Sequence, residues 1–279
     1  MKKISRRSFL AAAGLSVAAL ALTACSGSSA STASSVASSA ASSEAASTSA
    51  AAGELTTVEA GKLTMATNAA FPPYEMTTDA GEFEGIDIET AQAIADKLGL
   101  ELQIDDMDFD AALLSVQQGK ADIVMAGVTV TDERKAVMDF SDSYATGIQS
   151  IIVPEGSDIA SPDDLAGKKI GTQRGTTGYI YCSDDFGDDN VVAYDDGLTA
   201  VQALNNGQVD AVVIDNAPAQ EFVAANPGLV ILDTSYAEED YAIGMAKGSS
   251  LEDAVNAALE ELKADGTLQS IVDKYITAE

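Results

Sequence analysis

From about residue 61 onwards, the spacing of the hydrophobic residues predicts short strands that alternate with helices. Residues 101–104 alternate polar and apolar as a half-buried strand does, whereas the apolar residues of 88–98 recur at helical spacing and stop before Gly99. The predicted strands are 63–67, 101–104, 121–125, 148–153, 168–172, 209–214 and 229–232. The predicted helices are 88–98, 110–119, 198–205, 216–225, 251–263 and 268–275. This alternation favours an α/β fold with helices on the faces of a parallel sheet, and Asp110 is predicted to cap the second helix.

One helix–turn–strand sequence occurs twice in the chain. ALLSVQQGKADIVMAG at 112–127 matches AVQALNNGQVDAVVID at 200–215, which aligns Gly127 with Asp215. Ligands of open α/β sheets bind beyond the carboxyl ends of the strands. Two such units that face each other would therefore place Gly127 and Asp215 on opposite walls of one cleft. The alternative is that helix–glycine–strand turns recur by chance in α/β proteins.

Composition and charge argue against several classes of function. The chain has 279 residues, 46% of them apolar, which at roughly 100 to 200 residues per domain allows one large or two small domains. Its 15 Lys and Arg against 44 Asp and Glu argue against a nucleic-acid partner, because phosphate backbones are held by clustered cations. The absence of histidine excludes Ser-His-Asp and Cys-His catalysis and histidine-ligated metal sites. We expect no metal and no cofactor, and we assign no chemistry to Cys182.

The amino terminus has the layout of an export signal. Four basic residues precede the uncharged apolar stretch 9–22, which is shorter than the about 20 residues that a membrane-spanning helix needs. The stretch ends in Leu-Thr-Ala-Cys, which resembles the bacterial lipobox, so residues 1–24 are predicted to be a lipoprotein signal peptide and Cys25 the diacylated mature terminus. Arg6 and Arg7 fit either a twin-arginine signal or an ordinary basic segment.

Residues 25–60 are predicted to form a flexible tether. They consist mostly of Ser, Ala, Thr and Gly, which offer too little apolar surface to offset the entropy of ordering the chain. An Ala-rich helix is the competing interpretation, but the frequent Ser and Thr disfavour it. A lipid anchor followed by such a spacer describes a protein held at a membrane surface.

A short acidic helix is predicted just after the strand 121–125. Thr131, followed by Asp132 and Glu133, is a suitable helix N-cap, which puts Arg134 in the first turn. A cation at that position requires an anion as partner. The partner is either one of the two neighbouring acids or the carboxylate of a ligand, which a guanidinium group binds with two parallel hydrogen bonds.

Three further groups with possible chemistry follow predicted strands. Asp215 ends a strand and either caps the helix 216–225 or binds an ammonium group. GTQRGTTG at 171–178 opens a helix and can receive an anion on its amides, although it lacks the lysine and spacing of a nucleotide P-loop. Phe71 lies in a stiff Phe-Pro-Pro-Tyr turn, and with Phe109 it either packs in the core or stacks on a ligand.

Several motifs, in this order along the chain, resemble the polar amino-acid family of ABC-transporter solute-binding proteins. They are ATNAAFPPYE at 66–75, GIDIE at 85–89, DFDAAL at 108–113, AGVTVTDER at 126–134, DFSDSY at 139–144, GTQRGTT at 171–177, VDAVVIDN at 209–216 and DGTLQSIVDKY at 265–275. The resemblance implies a two-lobed periplasmic-binding-protein-like fold in which each lobe is a mixed sheet flanked by helices. Lobe 1 would comprise 61–145 and 243–279, and lobe 2 would comprise 146–242. Two crossover strands would act as the hinge on which the lobes close around a free amino acid.

The same resemblance implies which residues grip the two ends of an amino acid. Arg134 is similar to the residue that clamps the α-carboxylate, assisted by the amide and hydroxyl of Thr129 and by Thr177 from lobe 2. The carbonyl of Gly127 and the carboxylate of Asp215 are similar to the acceptors of the α-ammonium group.

Four more residues resemble the part of the family site that surrounds the ligand side chain. Phe71 and Phe109 correspond to hydrophobic walls, and Gln173 to a variable polar contact. Asn68 stands where an aspartate is often found, which weakens the charge-based case for a basic ligand. We therefore expect a polar uncharged amino acid first and a basic one second.

The function implied is that of a receptor and not of an enzyme. The protein is expected to be a monomer on the outer face of the bacterial cytoplasmic membrane, anchored through Cys25, that delivers an amino acid to the permease and ATPase subunits of an ABC importer. One alternative is a secreted cyclohexadienyl-type dehydratase on the same fold, which turnover of a cyclic precursor would reveal. Another is an amino-acid-sensing module, which would not co-purify with a permease and ATPase.

Overall fold

The structure is a computed structural model that describes residues 55–276. The predicted signal peptide, Cys25 and almost all of the predicted tether lie outside the described residues. Within 55–276, no helix combines the length and the apolar character needed to cross a membrane.

Strands and helices alternate through most of the described chain, as predicted. The strands are β1 Lys62–Thr67, β2 Ala70–Phe71, β3 Glu75–Thr77, β4 Phe83–Glu84, β5 Glu101–Asp106, β6 Ile123–Val124, β7 Met138–Phe140, β8 Ala145–Pro154, β9 Ile170–Gln173, β10 Val191–Tyr194, β11 Ala211–Asp215, β12 Leu229–Ile231, β13 Ala237–Tyr241 and β14 Gly244–Ala246. The helices are α1 Ile86–Leu98, α2 Phe109–Gln117, α3 Asp132–Lys135, α4 Thr177–Phe186, α5 Gly197–Asn205, α6 Asn216–Ala225, α7 Glu252–Ala264 and α8 Thr267–Tyr275, with 3₁₀ turns at Pro162–Leu165 and Asp188–Asn190.

Two mixed sheets form the two lobes. The first has the order β5-β1-β6-β14-β7, and the second has the order β10-β9-β11-β8-β12 with β13 also paired to β8. In the first sheet β1 is parallel to β5 and β6, whereas β14 is antiparallel to its neighbours. In the second sheet β9 is parallel to β10 and β11, whereas β8 is antiparallel to β11, β12 and β13. The sheets are therefore mixed, as the family resemblance implied, and not purely parallel.

The chain passes between the sheets twice, at places that lie side by side. It leaves the first sheet after Phe140 and enters β8 at Ala145; it leaves β13 at Tyr241 and returns to β14 at Gly244. Ala145 is paired with Tyr241 in the antiparallel β8–β13 ladder. These crossings lie close to the predicted lobe boundaries, and the domain division itself stays a prediction.

Two sequence predictions are wrong in detail. Helix α2 has Asp108 at its N-cap position, so Asp110 lies inside the first turn and its Oδ1 accepts a 3.1 Å hydrogen bond from the Ala111 amide instead of capping the helix. Of the predicted strand 121–125, only Ile123 and Val124 pair in the sheet. The short strands β2 to β4, β7, β10, β13 and β14 were not predicted, because two to five residues carry too little periodicity to be recognised.

The repeated sequence forms the same turn in both lobes. Gly119 and Gly207 both adopt a φ of 66°, a left-handed conformation that favours glycine. Three residues later, Asp122 accepts a hydrogen bond from the Thr64 amide, and Asp210 accepts one from the Lys169 amide, each at 2.8 Å. The repeat is thus a structural unit that delivers a central strand to each sheet.

Buried apolar residues anchor the strands whose ends bear the site residues. Leu63 and Met65 of β1 are fully buried in the main apolar cluster, whereas Ala66 is buried in a second cluster under α2. Burying a side chain such as Leu63 contributes about 1.5–3 kcal/mol. In lobe 2, Cys182 is fully buried, and burial raises the pKa of its thiol to about 12.

Candidate ligand-binding site

A small cavity lies between the lobes, and all nine residues predicted to contact a ligand line it. Its lining consists of Asn68, Phe71, Glu75, Phe109, Ala126, Gly127, Thr129, Arg134, Gln173, Thr176, Thr177 and Asp215. The strands explain this convergence, because Gln173 and Asp215 end β9 and β11, and Asn68 follows β1 directly. Carboxyl ends of strands from both sheets therefore meet at one crevice, where open α/β sheets bind ligands.

Arg134 is buried and held in place by carbonyl oxygens. The Thr131 hydroxyl accepts a 3.2 Å hydrogen bond from the Arg134 amide, so Thr131 caps α3 as predicted. The guanidinium group donates to the Thr129 carbonyl at 2.8 Å and to the Gly175 carbonyl at 3.2 Å, and its Cζ lies 5.4 Å from the centre of the Phe109 ring.

No carboxylate within residues 55–276 forms a salt bridge with Arg134, so the predicted surface pair with a neighbouring acid does not form. Burial lowers the pKa of Arg134. The group nevertheless stays charged, since an arginine cannot be deprotonated in a protein. A guanidinium group has five N–H donors, so donors remain for an anion in the cavity.

Asp215 occupies the N-cap position of α6, but its side chain makes no capping hydrogen bond. Helix capping therefore does not account for this carboxylate. Its Oδ2 accepts a 2.8 Å hydrogen bond from Gln149 Nε2, and its Oδ1 accepts a hydrogen bond from the Tyr241 hydroxyl. Burial raises the pKa of Asp215 to about 7, and the nearby Glu239 acts in the same direction. A cationic group in the cavity would favour the ionised form.

Gly127 is placed where a side chain could not be accommodated. Its φ is +54°, and an added Cβ would lie 2.9 Å from a ring carbon of Phe71. The Gly127 amide donates a 3.0 Å hydrogen bond to Asp87 Oδ2, away from any ligand. Only the carbonyl of Gly127 can therefore serve as a polar contact for a ligand.

Glu239 is a buried acid of the site that sequence reasoning missed. Its Oε2 accepts hydrogen bonds of 3.0 Å from the Thr129 hydroxyl, the Thr177 hydroxyl and Gln149 Nε2. Each hydroxyl has one proton, so in this arrangement neither threonine hydroxyl can donate to a ligand carboxylate. The backbone amides of Thr129 and Thr177 are the donors that remain for such a contact.

Gln149, Glu239 and Tyr241 escaped prediction because they lie on the crossover strands and not after a strand end. A usable signal was present: Glu239 and Tyr241 are two residues apart in β13 and therefore face the same side. A buried glutamate is unusual and normally has a specific partner. Glu75 and Thr176 also line the cavity without having been predicted.

Two of the residues predicted to surround the side chain of the ligand form a hydrogen bond between the lobes. Gln173 Nε2 donates a 2.8 Å hydrogen bond to Asn68 Oδ1, and Asn68 Nδ2 donates a 3.0 Å hydrogen bond to the Met107 carbonyl. Phe71 stacks on Tyr74 with the ring centres 6.0 Å apart. Both polar atoms of the Asn68 side chain thus have partners within the protein.

Comparisons with known proteins agree with this architecture. A profile of "Bacterial extracellular solute-binding proteins, family 3" matches residues 63–278. The L-cystine-binding protein TcyJ of Escherichia coli K12 is 33% identical over 226 residues, covering 79% of this chain and 85% of that protein. The arginine-binding extracellular protein ArtP of Bacillus subtilis 168 is 33% identical over 228 residues, covering 78% and 87%.

A solved structure gives the same result. The arginine-, lysine-, histidine-binding protein ArtJ from Geobacillus stearothermophilus superimposes with a TM-score of 0.75 at 34% identity, covering 78% of this chain and 96% of that one. These relatives are named as binding proteins and not as enzymes. The motif resemblance and the predicted two-lobed α/β fold are therefore confirmed, and the chain belongs to the bacterial extracellular solute-binding proteins, family 3.

Proposed function

We propose that this protein is an extracytoplasmic receptor that binds a free L-amino acid between its lobes and delivers it to an ABC importer. One observation carries the proposal: Arg134 of lobe 1 and Asp215 of lobe 2 line the same cavity and have opposite charges. An amino acid is a zwitterion, so each of its ends finds a partner of opposite charge. Such charge-assisted hydrogen bonds contribute about 1.5–3 kcal/mol each.

The α-carboxylate is assigned to Arg134 together with the start of α4. The Thr176 hydroxyl accepts the Tyr179 amide as N-cap, which leaves the Thr177 amide in the first turn available for an anion. The Thr129 amide is the proposed contact from lobe 1. The relatives support the assignment, because their names state amino acids as ligands, namely cystine, arginine, lysine and histidine.

The α-ammonium group is assigned to Asp215 and to the Gly127 carbonyl. The Tyr241 hydroxyl and Gln149 hold the Asp215 carboxylate in one orientation. A positioned carboxylate loses little freedom on binding, which favours affinity. Phe71 and Phe109 are the proposed walls around the side chain of the ligand.

Ligand capture is proposed to couple to hinge closure. Arg134 already reaches the Gly175 carbonyl across the cleft, and Gln173 reaches Asn68. The paired crossover strands β8 and β13 are the proposed hinge. A ligand that contacts both lobes stabilises the closed form by its differential affinity for it.

The proposed location follows from the sequence outside the described residues. We infer a lipid anchor at Cys25 from its lipobox-like context and a monomeric receptor that moves on the tether 25–60. Its partners would be the permease and ATPase of an importer. Co-purification with both subunits supports this role, and a signalling kinase in their place would favour a sensor.

Asn68 no longer serves as a guide to the ligand side chain. Its oxygen accepts a hydrogen bond from Gln173 and one N–H of its amide donates to the Met107 carbonyl, so partners within the protein set the orientation of this side chain. The expectation of a polar uncharged ligand before a basic one rested on this position. The preference must therefore be judged from other groups that line the cavity.

A ligand screen tests the proposed function. Thermal shift of the purified protein with each standard amino acid, cystine and ornithine should reveal a subset that raises the melting temperature, and calorimetry should then give one site per chain. A screen in which no amino acid binds, together with turnover of a cyclic precursor of phenylalanine, would establish the dehydratase instead.

A further inference from the structure

Glu75 is a cavity-lining carboxyl group that has no hydrogen-bond donor within reach among residues 55–276. It begins β3, it is fully buried, and neither of its carboxylate oxygens has a hydrogen-bond donor within residues 55–276. A buried ionised carboxylate without a partner is costly, so such groups are normally paired or neutralised. Glu75 is therefore either protonated, in which case it donates a hydrogen bond to the neighbouring Asp87 carboxylate, or ionised and paired with a cation that enters the cavity.

The charged groups that act on Glu75 are all acidic. They are Asp87 of α1, Asp106 of β5 and Asp215 of β11. Asp87 is itself fully buried and accepts hydrogen bonds from the Gly127 amide at 3.0 Å and from the Tyr144 hydroxyl at 2.7 Å. No Lys or Arg among the described residues forms a salt bridge with Glu75, Asp87 or Asp215.

The charges of the residues that line the cavity indicate what net charge a ligand should have. The ionisable lining residues are Glu75, Asp215 and Arg134, two acids and one base. A zwitterion pairs its carboxylate with Arg134 and its ammonium group with Asp215 and adds no net charge. No positive charge then remains for the Glu75 carboxylate. An amino acid with a cationic side chain supplies the missing positive charge.

We infer that Glu75 receives the side-chain cation of the ligand, so that the site selects amino acids with a guanidinium or ammonium side chain over uncharged ones of the same shape. The inference rests on the proposed function, because it takes the α-carboxylate and α-ammonium groups to be held by Arg134 and Asp215. It reverses the order of ligands expected from Asn68. A carboxylate binds a guanidinium group with two parallel hydrogen bonds, which suits a group whose two oxygens are both unoccupied.

Proton release provides a second signature of the same contact. Burial raises the pKa of Glu75 well above its ordinary value, and the charge of Asp87 and its hydrogen bond with the Glu75 carboxyl favour the protonated form further. A ligand cation favours the ionised form, so binding it transfers the Glu75 proton to solvent. An uncharged ligand leaves that proton in place. Proton loss from Asp215 is common to both ligands, so the difference between them reports Glu75.

Matched ligands and matched variants test the inference. Citrulline replaces the guanidinium group of arginine by an uncharged group of nearly the same shape, and 2-aminoheptanoic acid replaces the ammonium group of lysine by a methyl group. We expect the wild-type protein to prefer the charged member of at least one pair by about tenfold or more, equivalent to about 1.4 kcal/mol. Glu75→Gln should remove this preference. Glu82→Gln, an exposed site before β4, should retain it.

Calorimetry in two buffers of different ionisation enthalpy completes the test without any substitution. The wild-type protein should release up to one more proton near pH 7 with the charged ligand than with its uncharged partner. This measurement decides the question if Glu75→Gln fails to fold. Equal affinities within both pairs, equal proton release, or an unchanged preference in Glu75→Gln would overturn the role of Glu75 alone, whereas failure of every amino acid to bind would overturn the proposed function itself.

Discussion

Gln173 Nε2 lies 2.8 Å from Asn68 Oδ1, so the end of strand β9 in one lobe is hydrogen-bonded to the residue that follows β1 in the other. Together with the contact between Arg134 and the Gly175 carbonyl, this bond joins the two lobes across the cavity. Both contacts lie at the proposed ligand site. They therefore contribute to the balance between open and closed forms.

Replacement of Gln173 by alanine should open the ligand-free protein. One net hydrogen bond contributes about 0.5–1.5 kcal/mol, enough to shift a balanced equilibrium severalfold. Small-angle scattering should show a larger radius of gyration without ligand and an unchanged one with ligand. Gln202→Ala, an exposed position on α5, is the control. Identical scattering of the ligand-free Gln173→Ala and wild-type proteins would mean that the bond does not restrain the lobes.

Tyr241→Phe should weaken ligand binding although Tyr241 does not line the cavity. The Tyr241 hydroxyl donates to Asp215 and lowers the pKa of that carboxyl against the effect of burial. Without it, we expect the affinity at pH 7 to fall by roughly tenfold, in line with about 1.5 kcal/mol for a hydrogen bond to a charged group.

Part of the affinity of Tyr241→Phe should return at higher pH, where Asp215 ionises even without the Tyr241 hydroxyl. Tyr236→Phe removes another hydroxyl–carboxylate bond of lobe 2, to Asp185 at 2.6 Å, and should leave affinity unchanged. A pH profile of Tyr241→Phe that coincides with that of the wild-type protein would exclude a positioning role for Tyr241.

Asp215→Asn should change how the stability of the empty protein depends on pH. The pKa of Asp215 is about 7 in the folded protein and 3.8 as the ordinary value, so between these pH values the folded state holds a proton that the unfolded state has lost. This stabilisation is complete below pH 4 and disappears as pH rises through 7. The effect is on the order of a few kcal/mol.

Urea denaturation between pH 4.5 and 8 measures this difference. Asp87, whose pKa burial raises to about 6, contributes a similar decline to both proteins, so the comparison isolates Asp215. The free energy of unfolding should fall more steeply with pH in the wild-type protein than in Asp215→Asn. Parallel plots of unfolding free energy against pH for the two proteins would show that burial does not raise the pKa of Asp215.

Gly147→Ala should destabilise the hinge. Gly147 lies on β8, and a Cβ added there would overlap the Tyr241 ring. Overpacking of a filled interior costs about 1–3 kcal/mol and should also displace Tyr241 from Asp215. Gly171→Ala is the matched control, because its Cβ would meet side-chain atoms of Val212, Val209 and Tyr194 only at 3.2 Å or more. Equal melting temperatures of the two variants would contradict this account.

The sequence predicted those parts of the site that follow from local rules. Thr131 caps α3 and sets the position of Arg134, since hydroxyl and carboxylate groups favour a helix start. Asp215 and Gly127 could be predicted to face each other because the repeated sequence places both at strand ends. The motifs of the family supplied the other predicted lining residues, whereas Glu75, Ala126 and Thr176 were not predicted.

The rest depends on contacts between segments that are distant in sequence. Glu239 meets Thr129 and Thr177 only because β13 crosses between the lobes. Glu75 lies beside Asp87 and has no donor within reach among residues 55–276, and this arrangement arises only on folding, so no local pattern records it. The N-cap of α2 was predicted at Asp110 instead of Asp108, because local rules do not distinguish two aspartates that are two residues apart.

The central claim is that Arg134 and Asp215 grip opposite ends of one amino acid, and calorimetry of the best ligand from the screen tests it most directly. Arg134→Ala and Asp215→Ala should each lose roughly 2–5 kcal/mol of binding free energy, because one charged end of the ligand is then buried without its partner. Circular dichroism should show that both variants remain folded. An affinity equal to that of the wild-type protein in either folded variant would contradict the claim.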